Sequence, residues 1–119
     1  MLNLDTHILI HALCGSATRR EARLLSENQW GISAIVLWEL ATLSQLGRIE
    51  LNLDDARFRL VLTRIHVWPL TVEVCRTSCA LDISSDPADE LIAATSVVHH
   101  LPLLTRDKKL RRSKQVPLA

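Results

Sequence analysis

Residues 84–107 read "SSDPADELIAATSVVHHLPLLTRD". The stretch spells a helix followed by a strand. Asp86 stands where an N-cap belongs, and Pro87 at the first helical position, where its missing N–H costs nothing. Asp89 then falls at N3, where an acid can complete a capping box. The apolar run after Glu90 makes the helix body, and "LPLLT" (101–105) is a strand candidate. Capping needs one acid, at most two, yet Asp86, Asp89 and Glu90 lie within five positions. Asp89 shares its side of the helix with Ile92 and Ala93 and so points inward, whereas Glu90 lies between the sides and faces solvent.

The rest of the chain repeats the alternation. "MLNLD" is a short apolar strand ending in a carboxylate, and "THILIHAL" is a helix capped by Thr6. "SATRREARLLSEN" is a second helix, capped by Ser16 or Thr18. "WGIS" is a strand candidate, after which Ser33 caps "AIVLWELATLSQLG", a helix stopped by Gly47. "LDDARFRLVLTRI" is amphipathic with acids in its first turn. "VWPL" is brief and apolar, "TVEVCRTSCALD" is helical, "RDKKLRR" is a turn or short helix, and "QVPL" a last edge strand. This pattern predicts an α/β fold with a mainly parallel central sheet flanked by helices. A length of 119 residues predicts one domain over residues 1–119.

Composition narrows the class. A hydrophobic content of 48% suffices for a core, but no segment reaches the roughly 18 apolar residues of a membrane span. The opening "MLNLDTHILIHAL" carries Asp5 and no basic region, so no secretory signal is expected and a cytoplasmic protein is. The net charge of +1 gives no global field for nucleic acid. Arg106, Lys108, Lys109, Arg111, Arg112 and Lys114 nevertheless crowd one segment, and Arg19, Arg20 and Arg23 another; charge alone reads both as solvated faces. Cys75 and Cys79, four apart, are expected to form a reduced, buried pair, and a zinc site would want more ligands at short spacing.

Ligands of parallel α/β sheets sit beyond the carboxyl ends of the strands. Asp5 and Asp107 fall at two such ends, although either could simply cap the helix that follows. Glu39 is mid-helix, too far in for a cap, and Ile35, Val36 and Leu43 place it on the apolar face. A carboxylate turned toward a core must be paired, protonated or bound to a cation. Asp5, Glu39, Asp89 and Asp107 have no matching buried cations in view and would repel one another if gathered. A divalent metal resolves that, and all-oxygen ligands suit Mg²⁺ or Mn²⁺ rather than zinc. Such sites support phosphoryl transfer or phosphodiester hydrolysis.

The ordered motifs resemble a known family. "LDTHILIHAL", "ISAIVLWELATLSQLGRIEL" and "DPADELIAATSVVHHLPLLTRDKKL" together resemble the PIN-domain nucleases, specifically the VapC-type toxins of prokaryotic toxin–antitoxin pairs. The resemblance implies a PIN-like (Rossmann-like) fold and an Mg²⁺- or Mn²⁺-dependent endoribonuclease. It implies Asp5 and Asp89 as principal metal ligands, with Glu39 and Asp107 binding through water or holding a second ion. Thr105 would supply a hydroxyl near the fourth acid, and Asp86 would support the site. Lys108, Lys109, Arg111 and Arg112 would contact RNA phosphates. A homodimer neutralised by a cognate antitoxin is also implied. His7 stands where members commonly have Asn, which bears on the water network or RNA contact near Asp5. The region around "RFRLVLTRIHVWPLTVEV" is divergent, and no residue is carried over there.

Other readings compete. A catalytically silent PIN-like module that binds RNA or protein would fit a damaged acidic quartet, but all four acids are present. A phosphotransferase with Asp5 as nucleophile usually has a second acid two residues later, where this chain has His7. A receiver-like pocket lacks an acidic pair at the first strand end.

Overall fold

Leu2, Asn3 and Leu4 are all buried, and a run buried on both faces is what an inner parallel strand requires. They form β1 (Leu2–Leu4) in a computed structural model that describes residues 1–119. The elements that follow are α1 (Thr6–Cys14), α2 (Arg19–Glu27), β2 (Trp30–Ser33), α3 (Ala34–Gln45) and α4 (Ala56–Leu62). Then come β3 (His66–Trp68), α5 (Val72–Ser78), α6 (Pro87–His99), β4 (Leu103–Leu104) and α7 (Lys108–Arg111). The sheet order is β3-β2-β1-β4 and every pairing is parallel. The expected α/β architecture is therefore observed, and all strand C-termini point to one edge. No helix is long and apolar enough to cross a membrane.

α6 packs across β1 and β2 and against α3 and α5. Its buried residues are Ile92 and the smaller Ala88, Ala93, Ala94, Thr95 and Ser96. Asn3 fastens the two layers. Its Nδ2 donates to the Ile92 carbonyl at 3.0 Å and to Ser96 Oγ at 2.8 Å, so a polar residue in a core strand fixes α6 along its axis. Its Oδ1 has no partner, a cost that an apolar residue would avoid.

Several local expectations are corrected. Thr6 does not cap α1; Asp5 does, accepting from Thr6 N–H, and Thr6 is the first helical residue. α2 is capped by Thr18, with Glu21 closing a full capping box. Cys75 and Cys79 are exposed, because α5 ends at Ser78 and its buried residue is Val74. "QVPL" forms only an isolated bridge, Leu103 to Leu118, and no strand.

Gly31 lies where β2 passes under the N-terminus. A Cβ there would lie 2.8 Å from Met1 Sδ, 2.8 Å from Trp68 Nε1 and 3.3 Å from the Leu2 carbonyl. Methionine can give way, but the Trp68 ring is stacked on His99 with centroids 4.1 Å apart. Gly31→Ala should therefore cost about 1–3 kcal/mol, read as a lower denaturation midpoint at unchanged slope. An unchanged midpoint would mean that the ring moves freely.

Candidate active site

The parallel sheet delivers side chains from four elements to one edge. β1 ends in Asp5, which is 4% exposed. Its Oδ1 accepts from Thr6 N–H at 2.8 Å and its Oδ2 from the Thr105 hydroxyl at 2.6 Å. Burial nevertheless outweighs both bonds and holds the Asp5 carboxyl above its ordinary range. Glu39, half-buried on the second turn of α3, accepts from the Thr6 hydroxyl. Burial raises it too, with the Asp5 charge adding.

α6 contributes Asp89, whose Oδ2 accepts from Ser85 Oγ at 3.1 Å. Burial first, and then the charge of Asp5, push its carboxyl up to about 6. Asp107 begins α7 and caps it, its Oδ1 accepting from Lys109 N–H and Leu110 N–H. Its charge still reaches Asp5 and Asp89. Thus Asp5 and Asp107 both perform the structural capping that sequence allowed them and also face the cluster.

Thr105 does more than stand near the fourth acid. Its hydroxyl donates to Asp5 and accepts from Asp107 N–H at 3.0 Å, linking the ends of β1 and β4. Asp86 occupies the N-cap position of α6 but makes no capping bond, so its expected structural role is corrected. Its charge instead reaches Glu39. His7 is exposed, and its charge lowers the proton affinity of Asp5 and Glu39.

A hard divalent cation suits this donor set. The groups are carboxylate oxygens, and burial raises the proton affinity of Asp5, Glu39 and Asp89, a cost that a cation would relieve. As the side chains stand, no three His, Cys, Asp or Glu groups form a closed cage for an ion. The apolar hollow of about 360 Å³ lined by Trp30, Leu60, Val61, Arg64 and Ile65 shares no residue with the acids.

Sequence reasoning missed Thr6 and Ser85, the hydroxyls that hold Glu39 and Asp89. The signal was available, since each half-buried acid needs a donor and each hydroxyl is near an acid in sequence. It also missed the engagement of Arg106, whose guanidinium is bound to Glu21 at 2.7 and 2.8 Å. Arg111 likewise donates to the Thr105 carbonyl at 3.3 Å.

A parallel α/β sheet whose C-terminal edge gathers carboxylates from β1, α3, α6 and the β4–α7 turn defines a class: acidic-site domains suited to hard cations. The PIN domain profile matches residues 3–115. Ribonuclease VapC22 of Mycobacterium tuberculosis is 34% identical over 87 residues, covering 71% of this chain and 67% of the relative. Among solved structures, a toxin–antitoxin complex from Klebsiella pneumoniae is similar at a TM-score of 0.73 and 25% identity, over 94% of this chain and 91% of that one. FitAcB from Neisseria gonorrhoeae shares the fold at 0.70 and 24% identity, over 99% and 96%. The chain belongs to the PIN-domain family.

Two substitutions separate charge from capping. Folded Asp89 titrates near 6, against roughly 4 for an unfolded aspartate. The folded form holds the proton more tightly, so without metal, stability falls as pH rises from about 4 to 6 and the deficit is complete above that. Asp89→Asn should therefore gain on the order of 2 kcal/mol at pH 7 and little at pH 4. An equal gain at both pH values would assign the effect to packing. Asp86→Ala should change stability by no more than about 0.5 kcal/mol, since no capping bond is lost. A loss of about 1 kcal/mol would restore the capping role.

Proposed function

We propose that this chain is an endoribonuclease that hydrolyses RNA phosphodiester bonds with Mg²⁺ or Mn²⁺, and the toxin of a type II toxin–antitoxin pair acting in the cytoplasm. Residues 1–119 act as one domain. The observation that carries the reading is that Asp5, Glu39 and Asp89 come from three elements to one edge, each raised by burial, with the charge of Asp5 adding at Glu39 and Asp89. Family membership, the name of the mycobacterial relative and the toxin–antitoxin complex of similar fold support it.

In this reading Asp5 and Asp89 hold the ion directly, and Glu39 and Asp107 hold it through water or hold a second ion. Bound there, the ion supplies a water of lowered pKa and neutralises charge developing on the phosphate. Thr6 and Thr105 keep Glu39 and Asp5 in their rotamers, so the chain meets substrate with its acids already oriented. Asp86 adds negative field beside Glu39. Lys108, Lys109 and Arg112 are exposed beside Asp107 and take backbone phosphates; Arg111 joins them with the N–H groups that Thr105 leaves free. Trp38, Leu46, Leu60 and Val72 are 59–71% exposed, apolar surface of the kind that an antitoxin or a second copy in a homodimer covers.

Antitoxin-free protein should cleave total RNA with Mg²⁺ or Mn²⁺ and not with EDTA, and Asp5→Asn should abolish the difference. Identical RNA patterns with and without metal would refute the reading. Neutralising Lys108, Lys109, Arg111 and Arg112 should weaken RNA binding and lower its salt slope by roughly one unit per lost contact. An unchanged slope would leave the segment a solvated face.

A further inference from the structure

Arg106 separates Thr105 from Asp107 in sequence, and its side chain leaves for the other side of the segment. Nε donates to Glu21 Oε2 at 2.8 Å and Nη2 to Glu21 Oε1 at 2.7 Å, a two-pronged pair. Nη2 also reaches the Ser16 carbonyl at 3.3 Å. Nη1 lies 2.9 Å from His11 Nε2. A guanidinium only donates, so that nitrogen accepts, and the His11 proton is on Nδ1, facing Ser16 Oγ at 2.8 Å. Glu21 is itself 7% exposed and is fixed by Thr18 in the capping box of α2. The Arg106 bond holds its carboxyl down at about 2.

The segment needs such an anchor. β4 is two residues long and lies at the sheet edge. Beyond it, Thr105 must keep its hydroxyl between Asp5 and Asp107 N–H. The exposed Arg111 contact is one bond at 3.3 Å. Apart from the Thr105–Asp5 bond whose geometry is to be held, the Glu21 pair ties the β4–α7 turn to a separately fixed, buried group.

We propose that Arg106 is a positioning residue of the acidic site rather than a phosphate contact: clamped by Glu21 of α2, it sets where Thr105 and Asp107 stand relative to Asp5. The proposal rests on the nuclease reading for its effect on cleavage, but not for its effect on ion binding. It makes α2 part of the site's framework, although α2 contributes none of the four acids.

The test compares wild type with Arg106→Gln, Arg106→Lys, Glu21→Gln and the Arg106→Gln/Glu21→Gln pair, each well below its own melting temperature. Two readouts are taken: the Mn²⁺ concentration that half-saturates the rise in melting temperature, and kcat and KM for RNA cleavage. Positioning predicts that half-saturation rises about tenfold or more in every variant. It predicts that kcat falls about ten- to hundredfold with KM within about twofold, and that the pair is no worse than the worse single. Lysine should not rescue, because it keeps the charge but not the two-pronged bond. If Glu21→Gln leaves half-saturation and kcat at wild-type values, the proposal is overturned. It is equally overturned if Arg106→Gln raises KM and lowers the salt slope while Glu21→Gln does neither, since Arg106 then binds phosphate. Should Arg106→Gln not fold, Glu21→Gln and Arg106→Lys decide alone. If wild type cleaves no RNA, the nuclease reading falls, and Mn²⁺ half-saturation still decides the positioning.

Discussion

The carboxylate of Asp5 is buried at the end of a central strand, and its partners are neutral. The chain's ion pairs, Arg23 with Glu27 and Arg106 with Glu21, lie elsewhere. What fixes Asp5 is one backbone N–H and one hydroxyl. The neighbours inherit their positions from those two donors. Thr6, whose N–H binds Asp5, turns its hydroxyl to Glu39. Thr105, whose hydroxyl binds Asp5, takes Asp107 N–H on its lone pair. A single carboxylate thus sets the first turn of α1, the rotamer of Glu39 and the start of α7.

Burying a charge on neutral hydrogen bonds is unfavourable, and the raised carboxyls of Asp5, Glu39 and Asp89 record it. The core opposes that cost. Leu4, Ile32, Val36, Leu40 and Ile92 are fully buried in one core cluster, and Asn3 locks α6 to β1. Destabilised polar groups on a rigid apolar frame are the arrangement in which function and stability oppose each other. Glu21 shows the contrast. It too is buried, but Arg106 meets it with two charge-assisted bonds, and its carboxyl falls to about 2 instead of rising. Both kinds of buried acid occur in this chain, one paired with a cationic side chain and one held by neutral donors alone.

The sequence made the fold and much of the site legible because the evidence was local. Alternating short apolar runs and helices predicted the parallel sheet, and strand-end position drew notice to Asp5 and Asp107. Glu39 stood out because a helix face is readable from i−4, i−3 and i+4 neighbours. The failures were of three kinds. Asp86 has the φ and ψ of an N-cap and a proline after it, so its pattern was right, but its carboxylate makes no capping bond and its charge is felt at Glu39. Arg106 and Glu21 are 85 positions apart, and no periodicity links them; in sequence Arg106 is simply one more cation in a basic run. Cys75 and Cys79 failed because i, i+4 spacing shows that two residues share a face, not which face is buried.

The basic surface is only partly free. Of the cations that crowd residues 106–114, Arg106 is bound to Glu21 and Arg111 shares an N–H with the Thr105 carbonyl. In the second cluster Arg20 reaches the Ala119 carbonyl at 2.7 Å and Arg23 pairs with Glu27. Lys108, Lys109 and Arg112 keep their charges free, and they follow directly on the acid that caps α7. A polyanion drawn to these three meets the carboxylate edge within a few residues, where bare acids would repel it. In the proposed nuclease, a bound cation would therefore offset the edge's own charge as a phosphate backbone approaches, besides serving the chemistry.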